Sequence, residues 1–137
     1  MLRYIQLFFG FILFAALISC SVPATSSRKP IFASEEEIFK DMTWSGSTGQ
    51  GTTFYVSMKN GKLGMQVITN SQRTQYNLYG KSSLSGNTWK GKFQHPTDPS
   101  VIYDVKIEIE SEWKATGSFV TAAAGYPTFR DLHMGKS

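Results

Sequence analysis

From residue 43 onward, apolar and polar side chains alternate, as in β-strands with one buried face. The longest such stretch runs from Val101 to Ile109, where apolar residues take every second position and charged residues separate the last four of them. Asn60-Gly61 lies between two alternating stretches and is a strong signal for a two-residue hairpin. Shorter alternating stretches are 54–58, 63–67, 76–78, 89–93 and 113–119.

One apolar face per strand predicts a sheet that is covered on one side. Six or seven such strands with short connections predict an all-β fold, a small antiparallel up-and-down meander that closes into a barrel or bends strongly. A β-sandwich is the alternative. Before the strands, Ser34 and Glu37 have capping-box spacing, which predicts one short helix at about 35–41. Its apolar residues Ile38 and Phe39 could cover an open end of the barrel.

The first twenty residues have the pattern of a secretory signal. Arg3 is followed by an apolar run, Leu7–Ile18, which is too short to cross a membrane comfortably as a helix. The run ends in Leu17-Ile18-Ser19-Cys20, which resembles the lipobox of bacterial lipoproteins. The resemblance implies cleavage before Cys20, a diacylglycerol thioether on its sulfur, and a further fatty acyl chain such as palmitate on the freed amine. An ordinary cut after Ala24 and an uncleaved anchor are the alternatives.

These features divide the chain into three parts. We expect a lipoprotein signal peptide at 1–19, a lipidated Cys20 with a flexible tether through residue 33, and a single β-domain at 34–137. Because Cys20 is the only cysteine, an internal disulfide is excluded. The expected location is the cell envelope. Ser21, which is not Asp, implies the outer membrane in a Gram-negative bacterium, by resemblance to enteric lipoproteins.

Composition and charge exclude some functions. An apolar fraction of 41% with 18% charged residues is typical of a folded domain. The 14 basic residues exceed the 10 acidic ones by a net charge of +4, and the basic residues are scattered along the chain. Nucleic-acid binding needs clustered basic residues, so we expect no nucleic-acid partner.

Residues for catalysis or metal binding are sparse. His95 and Asp98 share one turn and His133 lies near the C-terminus, so no third ligand stands at metal-binding spacing. No serine lies in a nucleophile elbow, and the glycines of 46–51 do not open a helix as a phosphate loop does. We therefore predict no catalytic residues, no metal and no cofactor, and a protein that is not an enzyme.

The three tryptophans are the better candidates for a ligand site. Thr43-Trp44-Ser45-Gly46 and Thr88-Trp89-Lys90-Gly91 share a T-W-x-G pattern. The alternation directs Trp44, Trp89 and Trp113 into the barrel, where aromatic rings either hold a small apolar ligand or simply fill the core. Runs such as Met42-Thr43-Trp44 and Leu78-Tyr79-Gly80-Lys81 resemble avidin-like and lipocalin-like barrels in composition, and no ligand or site residue is carried over from those families.

The sequence thus favours a non-enzymatic, lipid-anchored envelope protein whose β-domain is a binding or scaffolding module. Its expected partners are the membrane, through Cys20, and either an envelope protein or a small apolar ligand. One alternative is a small-ligand carrier with an aromatic barrel pocket. The other is an inhibitor or exclusion factor that acts through loops such as 46–51 and 95–100.

Overall fold

Nine strands and one short helix follow the apolar pattern in the part of the chain that the structure, a computed structural model, describes: residues 29–40 and 43–137. Within those ranges no helix is long and apolar enough to cross a membrane. The elements are α1 (Glu35–Phe39), β1 (Thr43–Ser47), β2 (Thr52–Lys59), β3 (Lys62–Thr69), β4 (Gln72–Leu78), β5 (Ser83–Ser85), β6 (Thr88–Gln94), β7 (Ile102–Ile109), β8 (Lys114–Thr121) and β9 (Phe129–Lys136).

The strands form one antiparallel sheet in the order β4-β3-β2-β1-β9-β8-β7-β6-β5. One additional pairing, between β4 and β6, closes the sheet, and the β1–β9 pairing within this order joins the first strand to the last. Eight strands therefore make a closed up-and-down barrel, and β5 is an extra strand on β6. The predicted all-β meander barrel is confirmed, and closure removes the free sheet edges that an open meander would expose.

A bulge with two extra residues separates β4 from β5. β4 pairs with β6 up to Leu78, which lies opposite Phe93, and β5 resumes the pairing at Ser83, opposite Lys90. Four residues of the chain therefore lie against two residues of β6. Gly80, within this bulge, has a φ of +73°, a left-handed conformation that glycine adopts without steric cost.

The helix covers one end of the barrel, as its two apolar residues predict. The Ser34 hydroxyl caps it by accepting a hydrogen bond from the backbone N–H of Glu37 at 3.3 Å. The helix ends at Phe39, slightly before the predicted 41. Ile38 and Phe39 are completely buried, so the single turn is held by packing and not by its own propensity.

Two tryptophans from opposite walls hold the helix in place. The indole N–H of Trp44 on β1 donates to the carbonyl oxygen of Ile38 at 2.9 Å, and that of Trp89 on β6 donates to a carboxylate oxygen of Glu35 at 2.8 Å. β1 and β6 are four strands apart in either direction around the eight-stranded barrel. The tryptophans of the two T-W-x-G segments therefore both bind the helix, one from each side of the barrel.

The glycine of each T-W-x-G segment leaves room for a close neighbour. A Cβ atom on Gly91 would lie 2.6 Å from the indole ring of Trp89, and one on Gly46 would lie 2.7 Å from the backbone carbonyl oxygen of His133. Both distances are shorter than the contacts that a Cβ atom makes with non-bonded heavy atoms. Glycine is thus required under the Trp89 ring and at the β1–β9 contact.

Aromatic side chains fill the barrel interior. The rings of Phe54 and Phe119 stack with centroids 4.3 Å apart, and Tyr103 meets Phe54 edge to face at 6.1 Å. No buried side-chain nitrogen or oxygen in the described residues lacks a hydrogen-bond partner. The largest side chains that are under 2% exposed are Trp44, Trp89, Tyr103, Phe39, Phe54, Phe93 and Phe119.

Three strands, β1, β5 and β9, are not among the alternating stretches of the sequence. In β1 the only large apolar side chain is that of Trp44, so no period is visible. β5 has only three residues, too few for a period to appear. In β9 the core residues Leu132 and Met134 alternate, but Phe129 is out of phase with them. The cause is a bulge at Asp131, with a φ of +56°, where three steps along β9 match two along β8.

The end of the predicted tether packs on the barrel. The backbone N–H of Ile31 donates to the side-chain oxygen of Asn87 at 2.7 Å, and the ring of Phe32 meets Trp44 edge to face. The Lys136 ammonium lies 4.6 Å from the centre of the Phe32 ring. The docked part of the chain therefore already includes Ile31, which lies within the range predicted as a tether.

Candidate functional site

Trp113 does not face the barrel interior, so this part of the predicted tryptophan pocket is wrong. Its side chain is 55% exposed, in the turn before β8. Trp113 is two residues before Ala115, so the alternation predicted that both side chains face inward. The strand, however, begins only at Lys114. Before it, the Ser111 hydroxyl accepts the backbone N–H groups of Trp113 and Lys114, forming a tight turn that rotates the indole outward.

The other predicted site residues are also accounted for. Trp44 and Trp89 point inward as predicted, but both are fully buried and bound to the helix, so they line the core. Cys20, the predicted lipidation site, lies outside the described residues. The three tryptophans therefore do not come together as one ligand site.

His95 acts as a capping residue for its turn. Its Nδ1 accepts the backbone N–H groups of Thr97 at 3.2 Å and Asp98 at 3.1 Å. Hydrogen bonds from the Ser100 hydroxyl and backbone N–H hold the pKa of the Asp98 carboxyl below its usual range. His133 is exposed on β9. Among the described residues, no three His, Cys, Asp or Glu side chains are grouped as metal ligands.

Two tyrosines lie close together near this turn. The rings of Tyr76 and Tyr103 are edge to face, 5.3 Å apart, and Tyr103 donates its hydroxyl proton to the carbonyl oxygen of Pro127. Burial raises the pKa of Tyr76 to about 12 and also raises the pKa of Tyr103 above its usual value. Both phenols are therefore neutral at physiological pH and serve as core residues.

A largely apolar concavity lies on the outside of the barrel wall. It has a cavity volume of about 500 Å³, crosses β6, β7 and β8, and is bounded on one side by the bulge between β4 and β5. We call it the outer groove. It is lined by Tyr79, Gly80, Lys81, Ser83, Lys90, Gly91, Lys92, Asp104, Val105, Lys106, Ser118 and Val120.

Strand register brings the outer-groove residues together in two rows. In the first row, Lys106 lies between Lys90 and Ser118. The second row runs across the same three strands and comprises Lys92, Asp104 and Val120. The bulge adds Tyr79 beside the second row, because its backbone N–H donates to the carbonyl oxygen of Lys92 at 2.8 Å.

The outer groove is positively charged. Its four lysines face one acid, Asp104, whose carboxylate is 3.6 Å from the ammonium of Lys92. Lys106 pairs with Glu108 at 2.7 Å. Within the described residues, no carboxylate lies within 4.0 Å of Lys81 or Lys90.

A second cleft opens at the helix end, with a volume of about 550 Å³. It lies between α1, the β2–β3 hairpin and the bulge. The lining mixes apolar and polar groups, and it includes Glu35, whose carboxylate is already bound to Trp89. Its lining residues are Glu35, Met58, Gly61, Lys62, Leu63, Asn77, Leu78 and Ser82.

Sequence reasoning does not reveal the outer groove, because alternation identifies which residues face outward but not which of them become neighbours. The one available signal is the break in alternation at Gly80, where a strand stops and resumes. Pairing between strands then decides which charges become neighbours, and this cannot be obtained from spacing along one strand.

Together, the fold and the groove define a small eight-stranded up-and-down β-barrel with a filled core and a cationic groove on its outer wall. The structure is similar to the crystal structure of Treponema pallidum Tp0751 (pallilysin), with a TM-score of 0.56 over 74% of this chain and 82% of that chain. The two sequences are 8% identical, so the similarity concerns the fold. No protein-family model matches the chain, and no curated protein matches it in sequence.

Proposed function

We propose that this chain is a lipid-anchored protein of a bacterial cell envelope, and that its barrel is a non-enzymatic binding module. We also infer that the module binds its partner on the outer surface. The membrane is then one partner, through the lipid on Cys20, and a second envelope component is the other.

The filled core is the observation that carries this proposal. A small-molecule site needs a concavity of about 300–1,000 Å³ lined by groups that are free to contact the ligand. The predicted pocket residues Trp44 and Trp89 are instead packed against the helix that covers the barrel end. Concavities of suitable size lie at the surface, and the outer groove is a largely apolar one. A carrier that holds its ligand among the tryptophans is therefore less well supported.

The distance along the chain fits an anchored barrel. Residues 21–28 separate Cys20 from the first described residue, and an extended chain of that length spans at most about 30 Å. Ile31 contacts the turn before β6 at the helix end of the barrel. A lipid on Cys20 would thus hold the helix end towards the membrane and leave the side wall, with the outer groove, accessible.

We expect Cys20→Ala to abolish lipid attachment. Only a cysteine supplies the sulfur for the thioether, and lipoprotein processing depends on that modification. Cells grown with an alkyne analogue of palmitate should label the wild-type protein, which should fractionate with membranes and have the mobility of the processed form. The Cys20→Ala protein should remain unlabelled and should accumulate as precursor.

Ser21→Ala is the matched control, because it changes the adjacent residue and leaves the sulfur in place. It should be labelled and processed like the wild type. Labelling of the Cys20→Ala protein, or its processing at the wild-type position, would show that the chain is not anchored through this cysteine.

A further inference from the structure

We propose that the outer groove binds a small amphipathic anion, a molecule with one flat apolar body and one carboxylate, sulfonate or phosphate group. The inference deepens the proposed function, because it rests on binding at the outer surface and adds the chemistry of the ligand. Three features of the groove support the proposal: its apolar lining, its uncompensated positive charge and its volume.

The apolar half of the site is formed by the bulge and by β8. Tyr79 is 47% exposed, one of two large hydrophobic side chains that stand out as exposed in the described residues. Val120 lies across the groove from it on β8. Lys92 and Asp104 lie between them in the second row and are paired with each other, and the aliphatic stem of a lysine readily covers an apolar surface. A flat apolar group can therefore lie between the tyrosine ring and the valine.

The half of the site that would bind the anionic group is formed by Lys90 and Lys106. They lie directly opposite each other in the β6–β7 register, an arrangement in which like charges repel. Glu108 compensates Lys106, whereas no described carboxylate reaches Lys90. Lys81, in the bulge that borders Lys90, adds a third positive charge. An anion bound here would relieve the repulsion that the sheet register imposes.

The volume of the groove suits a small molecule. A volume of about 500 Å³ lies within the usual range for small-ligand sites, and the groove is bounded by the bulge on one side only. The helix-end cleft is similar in volume, but its Glu35 carboxylate would repel an anion. A third concavity of about 550 Å³ is lined by Glu108 and Glu110, so it too contains carboxylates. The excess of lysines over acids thus distinguishes the outer groove from both of these concavities.

Two probes of one shape test the proposal: naphthalenesulfonate, which is anionic, and naphthalenesulfonamide, which is neutral. Each is titrated into the full chain in non-ionic maltoside micelles, with empty micelles as the baseline. Amide NMR shifts give the affinity and the location. We expect the sulfonate to bind more tightly than the sulfonamide, and both to shift Gly91 and Val105, whose backbones line the groove.

Variants then separate charge from apolar contact. Lys90→Gln with Lys106→Gln should weaken sulfonate binding by about fivefold to thirtyfold and change sulfonamide binding by less than about twofold, because two charge contacts are lost. Tyr79→Ala should weaken both probes. Lys114→Gln removes an exposed lysine outside the groove and should affect neither. Equal sulfonate affinity in the double variant and in Lys114→Gln would overturn the proposal, as would shifts that map to the helix-end cleft.

This outcome is independent of the lipid anchor. If the wild-type chain is labelled by palmitate but binds neither probe, the groove is not a ligand site, and the proposal of an envelope lipoprotein stands. If the chain binds the sulfonate probe but is not labelled by palmitate, the lipid anchor is wrong, and the ligand site in the groove stands.

Discussion

Trp89→Ala should lower the free energy of unfolding by about 3–5 kcal/mol, the usual cost of removing a large buried aromatic side chain. Trp89 is fully buried, its ring packs edge to face on Phe39 at 5.1 Å, and its N–H is bonded to Glu35. The substitution removes all three interactions and leaves a cavity under the helix. Urea denaturation of the full chain, followed by far-ultraviolet circular dichroism, measures the change.

Trp113→Ala is the matched control for this prediction. It deletes the same side chain from a turn in which the indole is 55% exposed, so the expected change stays within about 0.5 kcal/mol. Similar losses from the two variants would mean that Trp113 also belongs to the core. The original three-tryptophan pocket would then be the better description.

Ile107→Ala should cost about 2–5 kcal/mol, while Lys106→Ala, one residue away, should cost no more than about 0.5 kcal/mol. Ile107 is completely buried between Trp89 and Gly117 on the adjacent strands. Lys106 points into the outer groove, and its ion pair with Glu108 is exposed, so the pair contributes little.

The contrast between these two neighbours tests the register. A shift of one residue would exchange the buried and exposed sets of β7. The midpoints and slopes of the denaturation curves for the two variants therefore decide which face of β7 is buried. Equal losses at both positions would contradict a sheet with one buried face.

Much of the barrel could be predicted because alternation reports burial directly. The inward residues of β7 are Tyr103, Val105, Ile107 and Ile109, and all four belong to the alternating set. Ser34 and Glu37 likewise predicted the helix start, because capping is a local hydrogen bond. Such features depend on residues that are near one another in the chain.

What the sequence did not predict depends on pairing between distant segments. The bulge at Asp131 shifts the phase of β9, and the Ser111 turn shifts the phase of Trp113. The outer groove arises where β6, β7 and β8 place lysines side by side. Neither the bulges nor the lysine rows follow a fixed spacing along the sequence. The proposed binding surface is therefore defined only by the pairing of the strands.

The filled interior, on which binding at the outer surface rests, is tested most directly by hydrogen exchange at the three tryptophan indole N–H groups. Trp44 and Trp89 donate theirs to the helix that covers one end of the barrel, and Trp113 is exposed. In the NMR spectrum of the full chain in maltoside micelles, two indole protons should exchange with water slowly and one rapidly. Rapid exchange at all three would show an open, water-accessible interior and contradict the filled core.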